Sequence, residues 1–153
     1  MITLRPATPE DAGAMARVQR EIFAARGFGP HGDTAWTRAR YIDAPGALAC
    51  TLAEEKGRVL GFQSLQRAGP DNAHGLPEGW GIIGTHIALD AGRRGIGRAL
   101  FAESLKAARA AGLTAIDATI GAANPGALAY YEAMGFRTWR ETGGAIGKRH
   151  DLT

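Results

Sequence analysis

The sequence predicts a single α/β or α+β domain, one layer of sheet with helices packed on it, and three stretches carry that prediction. A β-branched and apolar run (Ile82, Ile83, Thr85, Ile87, Leu89) breaks at Asp90-Ala91-Gly92 and gives way to a long alanine-rich segment of helical character. Two strand-like runs, residues 47–54 and 58–66, flank the tight hairpin turn Glu55-Lys56-Gly57. Asn124 is placed to cap a helix with Pro125 at its first position, and Gly135 closes that helix with Phe136 behind it.

The remaining elements follow in order. Residues 2–5 alternate like a half-buried strand and stop at Pro6. Thr8 is then a cap, Pro9 the first helical position, and Glu10 and Asp11 the acidic first turn. Ala12, Met15, Ala16, Val18, Ile22 and Phe23 keep helical spacing to about Ala25. Residues 26–33 form a glycine-rich loop, and residues 34–42 a short helix carrying Trp36 and Tyr41. After the hairpin, residues 67–79 are polar and rich in Gly and Pro, hence a loop, and residues 80–89 are the next strand. Residues 97–111 make a helix with Leu100, Ser104, Ala107 and Ala111 on its small-residue face. Glu103, Lys106 and Arg109 face solvent there, and Gly112 ends it. Strands at 114–120, 136–140 and 145–152 complete the chain, the last two joined by Thr142-Gly143-Gly144.

Composition narrows the function classes. At 153 residues with 45% hydrophobic and 22% charged residues, the chain reads as one ordinary globular domain. A net charge of +3 is too mild for a nucleic-acid partner, which wants a concentrated basic face. Cys50 is the only cysteine, so no disulfide forms within the chain, and it reads as a small buried hydrophobe rather than a nucleophile. The histidines His31, His74, His86 and His150 are scattered singly, which gives no metal constellation. No apolar run approaches membrane-spanning length and no signal core precedes Pro6, so the expectation is a cytoplasmic enzyme with no membrane partner.

The stretch from His86 to Leu100 organises the rest. Strand, glycine turn and helix start aim several main-chain N–H groups at one point, at the positive end of the helix dipole. Gly92, Gly95, Ile96 and Gly97 let an anion approach the backbone, and Arg93, Arg94 and Arg98 add positive charge. This is an anion cradle, suited to a pyrophosphate; the plain alternative is a glycine-rich turn with solvated arginines. A P-loop is excluded because no Gly-Lys-Ser/Thr follows. A dinucleotide fingerprint fails at Leu100, where its third glycine belongs. An acyl-CoA loop, Gln/Arg-x-x-Gly-x-Gly/Ala, fits at Gly95, Ile96 and Gly97 but has Gly92 at its leading position.

A second stretch, Asn-Pro-Gly-Ala-Leu-Ala-Tyr-Tyr-Glu-Ala-Met-Gly-Phe from Asn124, resembles the second signature of the GNAT superfamily of acyl-CoA-dependent N-acetyltransferases. Asn124, Ala127, Tyr131, Gly135 and Phe136 match it, and the two signatures lie in the family's order. The resemblance implies an α+β (mixed α/β) fold: a mostly antiparallel central sheet of six or seven strands, helices on both faces, the fourth and fifth strands splayed apart. It also implies acetyl-CoA as cofactor and an amine acceptor, and it allows a homodimer. The backbone at Ile87, leading through Ala88 and Leu89, would pair with the pantetheine arm. Residues 92–98 would hold the phosphates, Asn124 and Ala127 would touch the arm, and the Tyr131 hydroxyl would point at the sulfur. Capping is the second reading of Asn124, and Tyr130 is taken as packing.

Acyl transfer from a thioester to an amine needs positioning, carbonyl polarisation and two proton movements. Tyr131 is the candidate for the proton that reaches sulfur. For the amine proton, His86 has a suitable ordinary pKa, near 6.5. A water relay, or His86 as a plain strand histidine, are the alternatives; Glu21, His74 and Asp117 are weaker candidates. Phe28, Trp36 and Trp80 are candidates for the acceptor pocket or for the core. The expected acceptor, by analogy with the family, is a small-molecule amine such as an amino acid or antibiotic-like amine, with a protein acceptor or a non-catalytic CoA-binding module as alternatives.

Overall fold

The computed structural model describes residues 1–27 and 32–152. Seven strands form one sheet in the order β1-β2-β3-β4-β5-β7-β6: β1 Thr3–Pro6, β2 Ala47–Glu55, β3 Arg58–Arg67, β4 Gly81–Ile87, β5 Ala115–Gly121, β6 Arg137–Thr142 and β7 Ala145–Asp151. Every pairing is antiparallel except β4 with β5, which is parallel. The expected mixed sheet, with its splay at the fourth and fifth strands, is the observed one.

Four helices cover the two faces: α1 Ala12–Ala25, α2 Thr34–Thr37, α3 Ile96–Ala110 and α4 Pro125–Ala133. The start of α1 shows how local chemistry fixes an element. Residues Pro9–Asp11 form a 3-10 turn, so the α-helix proper begins at Ala12. The Asp11 carboxylate accepts from the Thr8 N–H at 2.7 Å, satisfying an otherwise orphaned donor. The same carboxylate takes a two-pronged contact from Arg5 on β1, and that guanidinium also binds Glu54 on β2. The Asp11 carboxyl is held down to about 2, chiefly by the Arg5 hydrogen bonds.

α1 packs on one face of the sheet through Met15 and Val18, which meet Leu52, Val59, Phe62 and Tyr41. α3 packs on the other face. Its buried residues are Ile96, Leu100, Phe101, Ser104 and Ala108. Ala107 and Ala111, expected on one small-residue face with Leu100 and Ser104, are only partly covered; Ala108, four residues after Ser104, is the alanine that is buried. Burying Leu100 fully contributes roughly 1.5–3 kcal/mol, which is what seats the start of α3 against β2 and β3.

Candidate functional site

The splay is the site's foundation. β4 and β5 pair only at Gly81↔Ile116 and Ile82↔Asp117. On its other side β4 is fully paired with β3, and the register decides which main-chain groups remain. Ala68 donates to the Trp80 carbonyl at one end of that ladder and Ala88 to the Leu60 carbonyl at the other, both at 2.7 Å. Antiparallel pairs alternate between bonded and non-bonded residues. With Leu65↔Ile83, Gln63↔Thr85 and Gly61↔Ile87 in register, the N–H and C=O groups of Ile83, Thr85 and Ile87 point away from β3, into the splay. The Ile83 N–H serves the last β4–β5 pair, Ile82↔Asp117, and beyond it the groups of Thr85 and Ile87 form an open strand edge, ready to accept an extended arm. Ala88 does not share in it, since its N–H is already engaged by Leu60. Leu89 stands mostly exposed beyond the strand.

Immediately after β4 the chain makes a 3-10 turn, Leu89–Ala91, and then enters α3. Arg93 (φ 62°) and Gly95 (φ 77°) both take the left-handed conformation, so the loop curls and the Gly95 carbonyl accepts the first helical bond from Ala99. The N–H groups of Ile96, Gly97 and Arg98 are the unpaired donors of the helix start. A Cβ at Gly92 or Gly95 would meet nothing within 4 Å, so the loop is open where an anion would lie. Arg93 and Arg98 are exposed and, among the described residues, carry no ion pair. The Arg94 guanidinium instead clasps Glu55 in the β2–β3 turn at 3.0 and 2.7 Å, so its charge is already partnered. This open loop, with free helix amides, two unpaired arginines and the strand edge leading to it, fits a diphosphate-bearing arm.

On the far wall, α4 is capped by Asn124, whose side chain accepts from the Ala127 N–H. One turn later Tyr131 is buried, with its hydroxyl 2.8 Å from Thr85 Oγ1 on β4. Burial pushes its phenol pKa up. Behind it lies a hydrogen-bonded hub. Gln63, fully buried on β3, donates to Thr85 Oγ1 (2.9 Å) and to the Tyr130 hydroxyl (3.0 Å), and it accepts from Ser104 on α3 (2.6 Å). The Tyr130 hydroxyl in turn donates to the Gly97 carbonyl at 2.7 Å. Tyr130 is therefore more than packing: it ties the anion loop to the helix that carries Tyr131. Its ring lies so close that a Cβ on Gly97 would be 2.6 Å from it, which is why that position is glycine. Sequence reasoning missed this hub: Gln63 shares its strand run with Ser64 and Gln66, so nothing local marks it as the buried amide.

Tyr131, Asn124, Ala127, Thr85 and His86 line one cavity of about 410 Å³, closed on the other side by Phe23, Trp36 and Tyr41. His86 faces α1, opposite to Ile87, because strand side chains alternate. Its ring lies 4.9 Å from that of Phe62 and 5.9 Å from that of Tyr41. Burial among these rings, with a smaller contribution from the Arg40 charge, lowers its pKa to about 4. The histidine lines the cavity, and its lowered pKa makes it a poor base for an amine. His74 lines the cavity too.

Other candidates fall elsewhere. Trp80 does not line the cavity; just before β4 its ring meets that of Trp139 on β6 at 5.2 Å, tilted, with the Arg149 guanidinium of β7 5.4 Å from its centre. Phe28 lies outside the described residues. Asp117 is buried and accepts from Trp139 Nε1 and Thr119 Oγ1, a structural role, and Glu21 is exposed outside the cavity. Burial pushes the Cys50 thiol up to about 12, far from thiolate chemistry. Among the described residues no cluster of potential ligands could hold a metal ion, and no helix is long and apolar enough to cross a membrane.

Comparison with known proteins agrees with this geometry. The model of the acetyltransferase (GNAT) family matches residues 16–136. A search of curated proteins returns no match. Among solved structures, the chain resembles a GNAT-family acetyltransferase from Streptococcus pneumoniae (16% identity, TM-score 0.80, 100% of both chains covered). It also resembles a GCN5-related N-acetyltransferase from Kribbella flavida (24% identity, TM-score 0.79, 99% of this chain and 98% of that one). A third, from Salmonella typhimurium, was solved with acetyl-CoA as its cofactor (18% identity, TM-score 0.74, 99% and 94% covered). With a family model matching residues 16–136, most of its length, the chain belongs to the GNAT family and is an acetyl-CoA-dependent N-acetyltransferase.

Proposed function

We propose that this enzyme acetylates the primary amine of a small molecule, an amino acid or antibiotic-like amine, by direct attack in a ternary complex. The observation that carries this reading is the size and walling of the cavity beside Tyr131. Its volume of about 410 Å³ is shared between the splay that would take the arm, lined by Thr119, Ile120, Asn124 and Ala127, and an acceptor side walled by Phe23, Trp36 and Tyr41, which leaves room for a compact acceptor. A protein chain would need a wider trough on the acceptor side.

Acetyl-CoA brings an activated acyl thioester. The protein's share begins with binding: the amides of Ile96, Gly97 and Arg98, with Arg93 and Arg98, hold the phosphates. The open strand groups of Thr85 and Ile87 would align the arm, and a strand N–H there would polarise the thioester carbonyl. Holding both reactants in contact is the largest contribution, worth roughly 7–11 kcal/mol in favourable cases. Tyr131 hydrogen-bonds the departing thiolate, and the proton it passes to sulfur is replaced by the one that leaves the amine through water. Gln63 uses both amide hydrogens on Thr85 and Tyr130, so the Thr85 hydroxyl is free to donate to Tyr131. That polarity leaves the phenol hydrogen facing the cavity.

Water, rather than His86, takes the amine proton. Moving a proton from an ammonium of pKa near 8–10 to an imidazole at about 4 is uphill by roughly 5–8 kcal/mol. We expect His86→Gln to leave kcat within about threefold and its pH profile without a change near pH 6.5. The variant's stability changes instead. His86 is lowered in the folded state, so the unfolded chain takes up the proton first as pH falls from about 6.5 to 4 and folding weakens across that window. Removing the imidazole removes this acid sensitivity, which denaturant titrations at pH 5 and pH 7.5 measure.

Gly92 gives a second expectation. Its backbone is extended (φ −69°, ψ 159°) and a Cβ has open space, so a side chain is tolerated there. Gly92→Arg should lower the KM for acetyl-CoA by about 2- to 10-fold, the worth of one added hydrogen bond, with kcat unchanged.

The deciding experiment monitors thiol release with acetyl-CoA against a panel of small amines and of peptides bearing a free N-terminus or lysine. Turnover confined to peptides sinks the small-molecule reading. Tight CoA binding with no turnover on any amine points to a non-catalytic module.

A further inference from the structure

The acceptor cavity is one-sided in charge. Its lining includes two permanent cations, Arg26 and Arg40, and, among the described residues, no carboxylate. Such a wall repels a bare ammonium ion, yet the reaction requires an amine to enter.

Arg40 is the distinctive member. It lies in the π-helical turn Arg38–Ile42 that extends α2, a local widening common at functional sites. Its guanidinium carbon sits 5.4 Å from the Trp36 ring centre and 5.6 Å from that of Tyr41, and its own carbonyl accepts from Gln66. Two aromatic faces and a pinned backbone hold the planar fork in place. Arg5, Arg38, Arg58, Arg94, Arg137 and Arg149 all have carboxylate partners; Arg40 has none among the described residues. Its field reaches into the cavity, since it contributes to keeping His86 neutral.

We infer that the acceptor carries its own anionic group, a carboxylate or a similar oxyanion close to the amine, and that Arg40 is the residue that holds it. This rests on the small-molecule reading and narrows it to zwitterionic, amino-acid-like amines. A fixed guanidinium offers two parallel N–H donors to a carboxylate, and the anion offsets the repulsion that the amine would otherwise meet. Arg40 is a specificity residue here, in contact with the acceptor and away from the bond being broken.

The test compares, in one assay, the proteinogenic amino acids, their amides and the corresponding decarboxylated amines, with aniline and 4-aminobenzoate added. The expected result is acetylation of at least one amino acid with kcat/KM about 10- to 100-fold above its amide and its decarboxylated amine. Arg40→Gln should erase that preference by raising the amino-acid KM, leaving kcat and the acetyl-CoA KM in place. Arg40→Lys should recover part of it. Amides and decarboxylated amines used as well as the amino acids overturn the inference while small-molecule acetylation stands. So does turnover of aniline and 4-aminobenzoate alike, or an Arg40→Gln loss equal across all three series. Acetylation of peptides with every small amine inert overturns the broader reading and this one together.

Discussion

Tyr131→Phe is expected to lower kcat by about 100-fold or more while leaving the KM for acetyl-CoA within about threefold. General acid catalysis contributes roughly 10²–10⁴ in rate, and the phenol is the buried proton donor on the cavity wall nearest Thr85 and Asn124. The substitution removes one oxygen and nothing else. Thr85 Oγ1 keeps its hydrogen bond from Gln63, and the ring keeps its contacts with Phe136 at 5.2 Å and Tyr130 at 4.9 Å, so the cavity retains its shape. Burial raises the phenol pKa, so the proton is present throughout the neutral range. The wild-type profile should therefore show no loss of this acid below pH 10, and the variant's defect should be uniform from pH 6 to 9. An unchanged acetylation rate in Tyr131→Phe would remove the phenol from the mechanism and leave sulfur to be protonated by water.

Gly97→Ala should damage both cofactor binding and stability. The added methyl would sit 2.6 Å from Tyr130 Cε1 and 3.2 Å from its Cζ, closer than carbon atoms tolerate. The ring has little freedom to retreat, because its hydroxyl is tied to the Gly97 carbonyl and to Gln63. Overpacking of this kind costs about 1–3 kcal/mol. The strain is shared by the start of α3, which carries the phosphate-facing amides, and by α4, which carries Tyr131. The acetyl-CoA KM should rise about tenfold or more and kcat should fall with it. Denaturant melts of the single variants and of Gly97→Ala combined with Tyr130→Leu measure the coupling: the double variant should recover part of the lost stability, since the clashing ring is gone. Additive losses would show that the two residues do not constrain each other.

These two expectations sit at opposite ends of what could be read before folding. Tyr131 was legible because a capped helix with fixed spacing, Asn124 to Phe136, declares its own ends and faces. The anion loop was legible for the same reason: glycine spacing and a strand-to-helix switch are short-range facts. The hub of Gln63, Thr85, Tyr130 and Gly97 was not, since its members lie on four different elements and meet only through the β3–β4 register and the docking of α3 and α4.

Local chemistry in the chain thus determined the element order, the helix caps, the hairpin and the anion loop, all of which depend on residues within a few positions of one another. Tertiary structure alone decided which charges face which space. It tied Arg94 to Glu55, drew Trp80 away to Trp139, left Arg40 on the cavity wall, and enclosed His86 in aromatic rings that strip its basicity. The physical reason is that desolvation and ion pairing are set by neighbours distant in sequence, whereas caps and turns are set by the backbone itself.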